Sequence, residues 1–151
     1  MQRAHAIAVV GPAEASNTEL AVAEEVGAGL AAAGCVVVTG GLGGVMEAAS
    51  RGARSRLGST IGILPGSDPD AANGWVELAI PTGLGQGRNA LVVAAARGLI
   101  AVGGGYGTLS EIALALRAGK PVVAIGSWDV PGVEPAADVA AAVERIRAVT
   151  S

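Results

Sequence analysis

Six short apolar runs punctuate the chain: AIAVVG at 6–11, CVVVTG at 35–40, STIGILP at 59–65, WVELAI at 75–80, LIAVGG at 99–104 and PVVAIG at 121–126. None alternates strictly between apolar and polar residues. Each ends at Gly or Pro, or just before Pro81, which is the pattern of parallel strands buried on both faces. Alanine-rich stretches between them predict helices at 17–33, 44–57, 87–97, 108–118 and 136–149. Gly34, Gly58, Gly98 and Gly119 fall where a helix must stop before a strand. Strand and helix in alternation predict an α/β fold: a Rossmann-like, doubly wound parallel sheet with helices on both faces and right-handed crossovers. No linker divides residues 1–151, so a single domain is expected.

Composition narrows this picture in three ways. The chain has 151 residues, 51% hydrophobic and 15% charged, with 24 glycines and no Phe. Such a chain buries a core of small aliphatic side chains, and its glycines need structural reasons. A net charge of −3, with Lys120 as the only lysine among ten basic residues, argues against nucleic acid as a partner. Val26–Met46 is uncharged for 21 residues, but seven are glycine and the pattern changes midway from helix to strand. It therefore reads as two elements of a globular fold rather than a membrane span. Cys35 has no partner cysteine, which fits a buried hydrophobe in a reducing, cytoplasmic setting. With His5 the only histidine, no ordinary metal cluster is expected.

Two glycine loops carry the candidate chemistry. Gly40-Gly41-Leu42-Gly43-Gly44-Val45-Met46-Glu47 and Gly104-Gly105-Tyr106-Gly107-Thr108-Leu109-Ser110-Glu111 share the form GG-x-G-x-x-x-E. Each follows a predicted strand and opens a predicted helix. Glycine lets a ligand approach the backbone, and the free N–H groups of a first helical turn attract anions. Neither loop fits the dinucleotide fingerprint or the NTPase P-loop. Tight turns for helix–sheet packing are the plainer alternative.

Thr108 and Glu111 also have the spacing of a capping box, as do Ser16 and Glu19. Arg88, in Gly85-Gln86-Gly87-Arg88-Asn89, stands at a predicted helix start, where the macrodipole disfavours a cation. An anion or a carboxylate would account for it, and a solvated surface position is the alternative. Arg51, Arg54 and Arg56 suit the end of their helix and are read as surface.

GGGYGTLSE at 103–111 resembles the PGG-x-GT-x-x-E signature of the LOG (lonely guy) family of phosphoribohydrolases. GGLGGVM at 40–46 is similar to that family's first glycine loop, and Arg88, 23 residues before Glu111, matches its conserved arginine. Gly103 replaces the motif's proline, Gln86 its histidine and Asn89 its lysine. The wording of the motifs resembles a bacterial DprA/Smf-related branch, which is also similar to molybdenum-cofactor carrier proteins.

The resemblance implies a catalytic pair, Arg88 and Glu111, for cleaving the N-glycosidic bond of nucleoside 5′-monophosphates. It implies ligand contacts from Gly11, Gly40, Gly41, Gly43, Gly44, Met46, Thr82, Asn89, Gly104, Gly105, Tyr106, Gly107 and Thr108. No cofactor is required; the expected partner is a small phosphorylated molecule, a nucleotide or a molybdopterin-type ligand. A non-catalytic binder or carrier is the alternative to hydrolysis, with a DNA-processing partner as a third reading. Homo-oligomers, dimeric or larger, are expected from the same resemblance.

Overall fold

The computed structural model describes Met1–Ser151. Seven strands form one parallel sheet: β1 (Ala6–Val10), β2 (Val36–Thr39), β3 (Thr60–Leu64), β4 (Leu78–Pro81), β5 (Gly98–Val102), β6 (Val122–Ile125) and β7 (Glu134–Pro135). Their spatial order is β4-β3-β2-β1-β5-β6-β7. Five helices connect them: α1 (Asn17–Ala32), α2 (Val45–Ser55), α3 (Asn89–Ala95), α4 (Tyr106–Arg117) and α5 (Val139–Thr150). The α/β prediction holds, with helices on both faces.

Successive strand residues divide the core. Ile7, Val9, Val37, Ile100 and Val102 pack against α1, α2 and α5, whereas Ala8, Val10, Val38, Leu99 and Ala101 pack against α3 and α4. Strands apolar at every position therefore serve two cores at once. Val26–Met46 resolves into the second half of α1, then β2 and its glycine loop. No helix is long and apolar enough to cross a membrane.

Two glycines explain how α1 and α2 meet. A methyl group at Gly27 would overlap the backbone carbonyl of Ala49, and one at Gly52 would overlap that of Glu24. The helices thus touch backbone to backbone, and Arg51 on α2 pairs with Glu24 on α1 at 3.2 Å. Ser16 and Glu19 form the predicted capping box at the start of α1.

Several predicted boundaries move. Trp75–Glu77 lies outside β4 because its backbone bonds to side chains: the Trp75 amide donates to Asn73, and the Thr60 hydroxyl donates to the Trp75 carbonyl. Gly85–Arg88 forms a 3-10 turn before α3. The α2 helix ends with Leu57 at φ 58° rather than at Gly58, and Gly98 is the first residue of β5. Lys120 terminates α3 instead, donating to the carbonyls of Val93, Ala94 and Ala96 at 2.7, 3.2 and 2.7 Å. The Pro131–Pro135 connector contains β7, an edge strand where a proline is tolerated.

Candidate functional site

The strand order reverses between β1 and β5, so the crossovers leaving these two strands run to opposite sides and leave a crevice at their C-terminal ends. The loop after β1 carries Gly11, the loop after β5 carries Gly103–Gly105, and the loop after the neighbouring β2 carries Gly40–Gly44. A cavity of about 320 Å³ opens among them, lined by Gly11, Gly40, Met46, Asn89, Gly105, Gly107 and Thr108 together with Arg88 and Glu111. Nine of the fifteen residues singled out in the sequence therefore share one wall. Val9, Val10, Pro12, Ala13, Leu42, Pro65 and Gln86 complete the lining. Leu42 lies within the first glycine loop and Gln86 within the Arg88 segment, whereas Val9, Val10, Pro12, Ala13 and Pro65 carry no chemical signal in the sequence.

The six remaining candidates stand outside this lining. Gly41 and Gly44 shape the first loop, with φ of 79° and 66°; the Gly41 amide donates to the Thr39 hydroxyl. Gly43 and Gly104 have open space where a side chain would be. Tyr106 lines a neighbouring pocket. The Thr82 hydroxyl is committed to the Leu64 carbonyl at 2.7 Å.

Glu111 is not a helix cap. The α4 helix begins at Tyr106, two residues earlier than predicted, with Gly105 at the N-cap in a φ of 94° that only glycine adopts readily. Glu111 thus sits in the second turn, 8% exposed, and its carboxyl has no hydrogen-bond or ion-pair partner within the chain. Burial pushes this carboxyl up to about 7, opposed by the charge of Arg88. Thr108, 3% exposed, also loses its capping role, and its hydroxyl is buried without a partner. The amides of Tyr106, Gly107 and Thr108 likewise find no acceptor in the chain. An orphaned hydroxyl and unpaired amides at a helix N-terminus are the donor set an anion needs.

Arg88 is not a surface residue; it is 8% exposed. Its Nε donates to the Ile63 carbonyl at 3.0 Å, Nη2 to the Gly40 carbonyl at 3.5 Å and Nη1 to Asn89 Oδ1. Asn89 Nδ2 donates onward to Ser110 Oγ at 3.0 Å, and Ser110 donates to the Gly107 carbonyl at 2.7 Å. One arginine therefore ties the ends of β2 and β3 to the start of α4. Burial lowers the pKa of its guanidinium and Glu111 raises it, yet an arginine remains charged under both influences.

Gly103 adopts φ 75°, and a side chain there would run into the Glu19 carboxylate of the α1 capping box. A proline, held near φ −65°, cannot occupy that backbone. The departure from the PGG motif is therefore a conformational requirement of this loop.

Fold and cavity together define a doubly wound α/β protein with a crevice at its switch point. The family model of the SLOG cluster4 family matches residues 4–149, and the chain belongs to that family. An uncharacterized protein of Archaeoglobus fulgidus is 44% identical over 119 residues, covering 79% of this chain and 78% of its own. Among solved structures, the molybdenum cofactor binding protein of Rippkaea orientalis superposes with a TM-score of 0.94, 38% identity and full coverage of both chains. The molybdenum cofactor carrier protein of Chlamydomonas reinhardtii gives 0.90 and 38% identity over 97% of this chain and 98% of its own. The branch expected from the glycine motifs is the one found.

Proposed function

We propose that the protein binds the phosphoryl end of a nucleotide-like molecule in the switch-point cavity, and that the molybdenum cofactor is its cargo, held without turnover. The observation that carries this reading is the buried, unpartnered Thr108 hydroxyl beside the three free amides of α4. In a folded protein such groups cost about 1–3 kcal/mol unless something satisfies them. The cavity is also at the lower end of the usual range for small-molecule sites. The choice of cargo is supported by the likeness over the full chain to proteins described as binding or carrying that cofactor.

The donor set fits a phosphate group, and Gly43, Gly104 and Gly107 leave open space beside the loops. When bound, the cofactor would supply a terminal phosphate for these donors. The chain's part is to hold it: Thr108 and the α4 amides take the oxygens, and Arg88 fixes the loops and adds positive potential.

A second reading, hydrolysis of a nucleoside 5′-monophosphate, is favoured by one feature, the unpaired Glu111 carboxyl facing the same cavity as Arg88. A carboxyl that titrates near neutrality is suited to general acid–base work.

Calorimetric titration with the molybdenum cofactor and with AMP, alongside assay of base release from AMP, tests both readings. Binding of the cofactor and no release of base supports the carrier; steady base release, lost in Glu111→Gln, supports the hydrolase. Thr108→Val is expected to weaken phosphate-dependent binding by roughly tenfold, the worth of one hydrogen bond to a charged group. An unchanged affinity would remove the cradle.

Self-association is proposed as well. Leu78 and Ile80 on edge strand β4 are 54% and 41% exposed. We infer that a second copy of the chain covers this apolar edge.

A further inference from the structure

The sequence spends only three aromatic residues: Trp75, Tyr106 and Trp128. Two of them meet at the mouth of the second glycine loop. The rings of Tyr106 and Trp128 lie 6.2 Å apart between centroids and 24° from parallel. Trp128 Nε1 donates to the Gly105 carbonyl at 2.9 Å, so the indole is anchored to the loop that forms the cradle. Tyr106 itself remains 84% exposed, which is unusual for an aromatic ring held in a fixed stack.

Tyr106 also lines a second pocket of about 480 Å³ between α3 and α4, together with Ala90, Ser110 and Leu114. This pocket adjoins the cradle, and Gln86, Asn89 and Gly107 line both. No acidic or basic residue lines it; its polar groups are the Asn89 amide and Ser110 hydroxyl, bonded to each other at 3.0 Å, and the Gln86 amide. A phosphate seated at the α4 amides therefore has an uncharged, partly apolar chamber beside it, walled on one side by a rigidly backed ring.

Resting on the reading that the cavity holds a phosphorylated heterocycle, we propose that this outer pocket receives the ligand's planar ring and that Tyr106 is the platform on which the ring stacks. Trp128 is a positioning residue that holds the platform and the loop in register. A rigid ring loses little conformational freedom when it is covered, so the contact goes mostly to binding.

The test separates the platform from the cradle. Ribose 5-phosphate reports the cradle alone; AMP and neopterin monophosphate each add a planar ring. Kd values are measured by calorimetry for the natural chain, Tyr106→Ala and Tyr106→Phe, with circular dichroism confirming the fold and sedimentation the oligomeric state. At least one ring-bearing probe should bind more tightly than ribose 5-phosphate. Tyr106→Ala should reduce that advantage roughly 5- to 100-fold, with Tyr106→Phe retaining it, from the usual worth of one base–aromatic stack. Both substitutions leave the Tyr106 amide in place, so the affinity for ribose 5-phosphate should change far less than that of the ring-bearing probes.

Several results overturn the proposal. One is an advantage that survives in Tyr106→Ala, and another is ribose 5-phosphate binding as tightly as both ring-bearing probes. A third is a change in sedimentation with no change in Kd, which would assign the ring to a contact between copies of the chain. If ribose 5-phosphate fails to bind and Thr108→Val is silent, the cradle falls and the platform with it.

Discussion

Glu111 combines burial, a missing partner and a place on the cavity wall. Its carboxyl keeps a proton up to about pH 7 in the folded chain, whereas an ordinary glutamate releases it near 4.5. Between these values the native state binds more protons than the unfolded state, so stability falls as pH rises across that window. Glu111→Gln cannot ionise and escapes this loss. Its melting temperature relative to the natural chain should therefore rise from pH 4.5 to pH 7.5, by roughly 2–4 °C per kcal/mol in a chain of this size. A pH-independent difference would show that the carboxyl is solvated or paired. At this scale the motifs pointed to residues that meet at one cavity, and misjudged the local role of some of them. Thr108 and Glu111 have capping-box spacing, yet Gly105, at φ 94° and ψ 149°, takes the N-cap position, so α4 starts early and both side chains turn inward. That shift depends on the loop meeting α1 and Trp128, contacts remote in sequence.

At the scale of elements, small contacts decide where helices begin, end and touch. Gly52→Ala should gain about 1 kcal/mol of helix propensity. It also forces a methyl into the Glu24 carbonyl, at roughly 1–3 kcal/mol or more for overpacking against backbone. The second effect wins, and thermal unfolding should show a lower melting temperature. Gly29→Ala meets only a Val143 methyl at 3.0 Å, which can yield, and should be far milder. Lys120 ends α3 by donating to three carbonyls. Lys120→Met removes those charge-assisted bonds and should cost about 1–3 kcal/mol, read as a lower denaturant midpoint with unchanged slope. The strands were legible because each is a short apolar run ended by Gly or Pro. The bounds of α3 and the pairing of β7 were not: α3 starts after a 3-10 turn and ends on a distant lysine, and β7 depends on a neighbour's edge.

For the whole molecule, the uneven coverage of the sheet is the feature with a consequence. Three helices cover one face, while α3 and α4 cover the other and leave the β4 edge with Leu78 and Ile80 exposed. If a second copy seats there, sedimentation of the natural chain should give a dimer or larger species. Leu78→Glu combined with Ile80→Glu should give a folded monomer. A natural chain that sediments as a monomer at micromolar concentration would remove this interface.

Reading along the chain was enough to find the α/β class, the approximate strands, and the two glycine loops with Arg88 and Glu111. These follow from local periodicity and from residue types whose chemistry is independent of context. The packed fold alone shows that Arg88 is buried as a brace between β2 and β3, that Glu111 faces a cavity without a partner, and that Tyr106 stands on Trp128. Burial, pairing and orientation belong to the meeting of segments far apart in the chain, and spacing along it carries no record of them. GGGYGTLSE shows the division within nine residues: its glycines could be read directly, whereas the direction of its glutamate had to be seen.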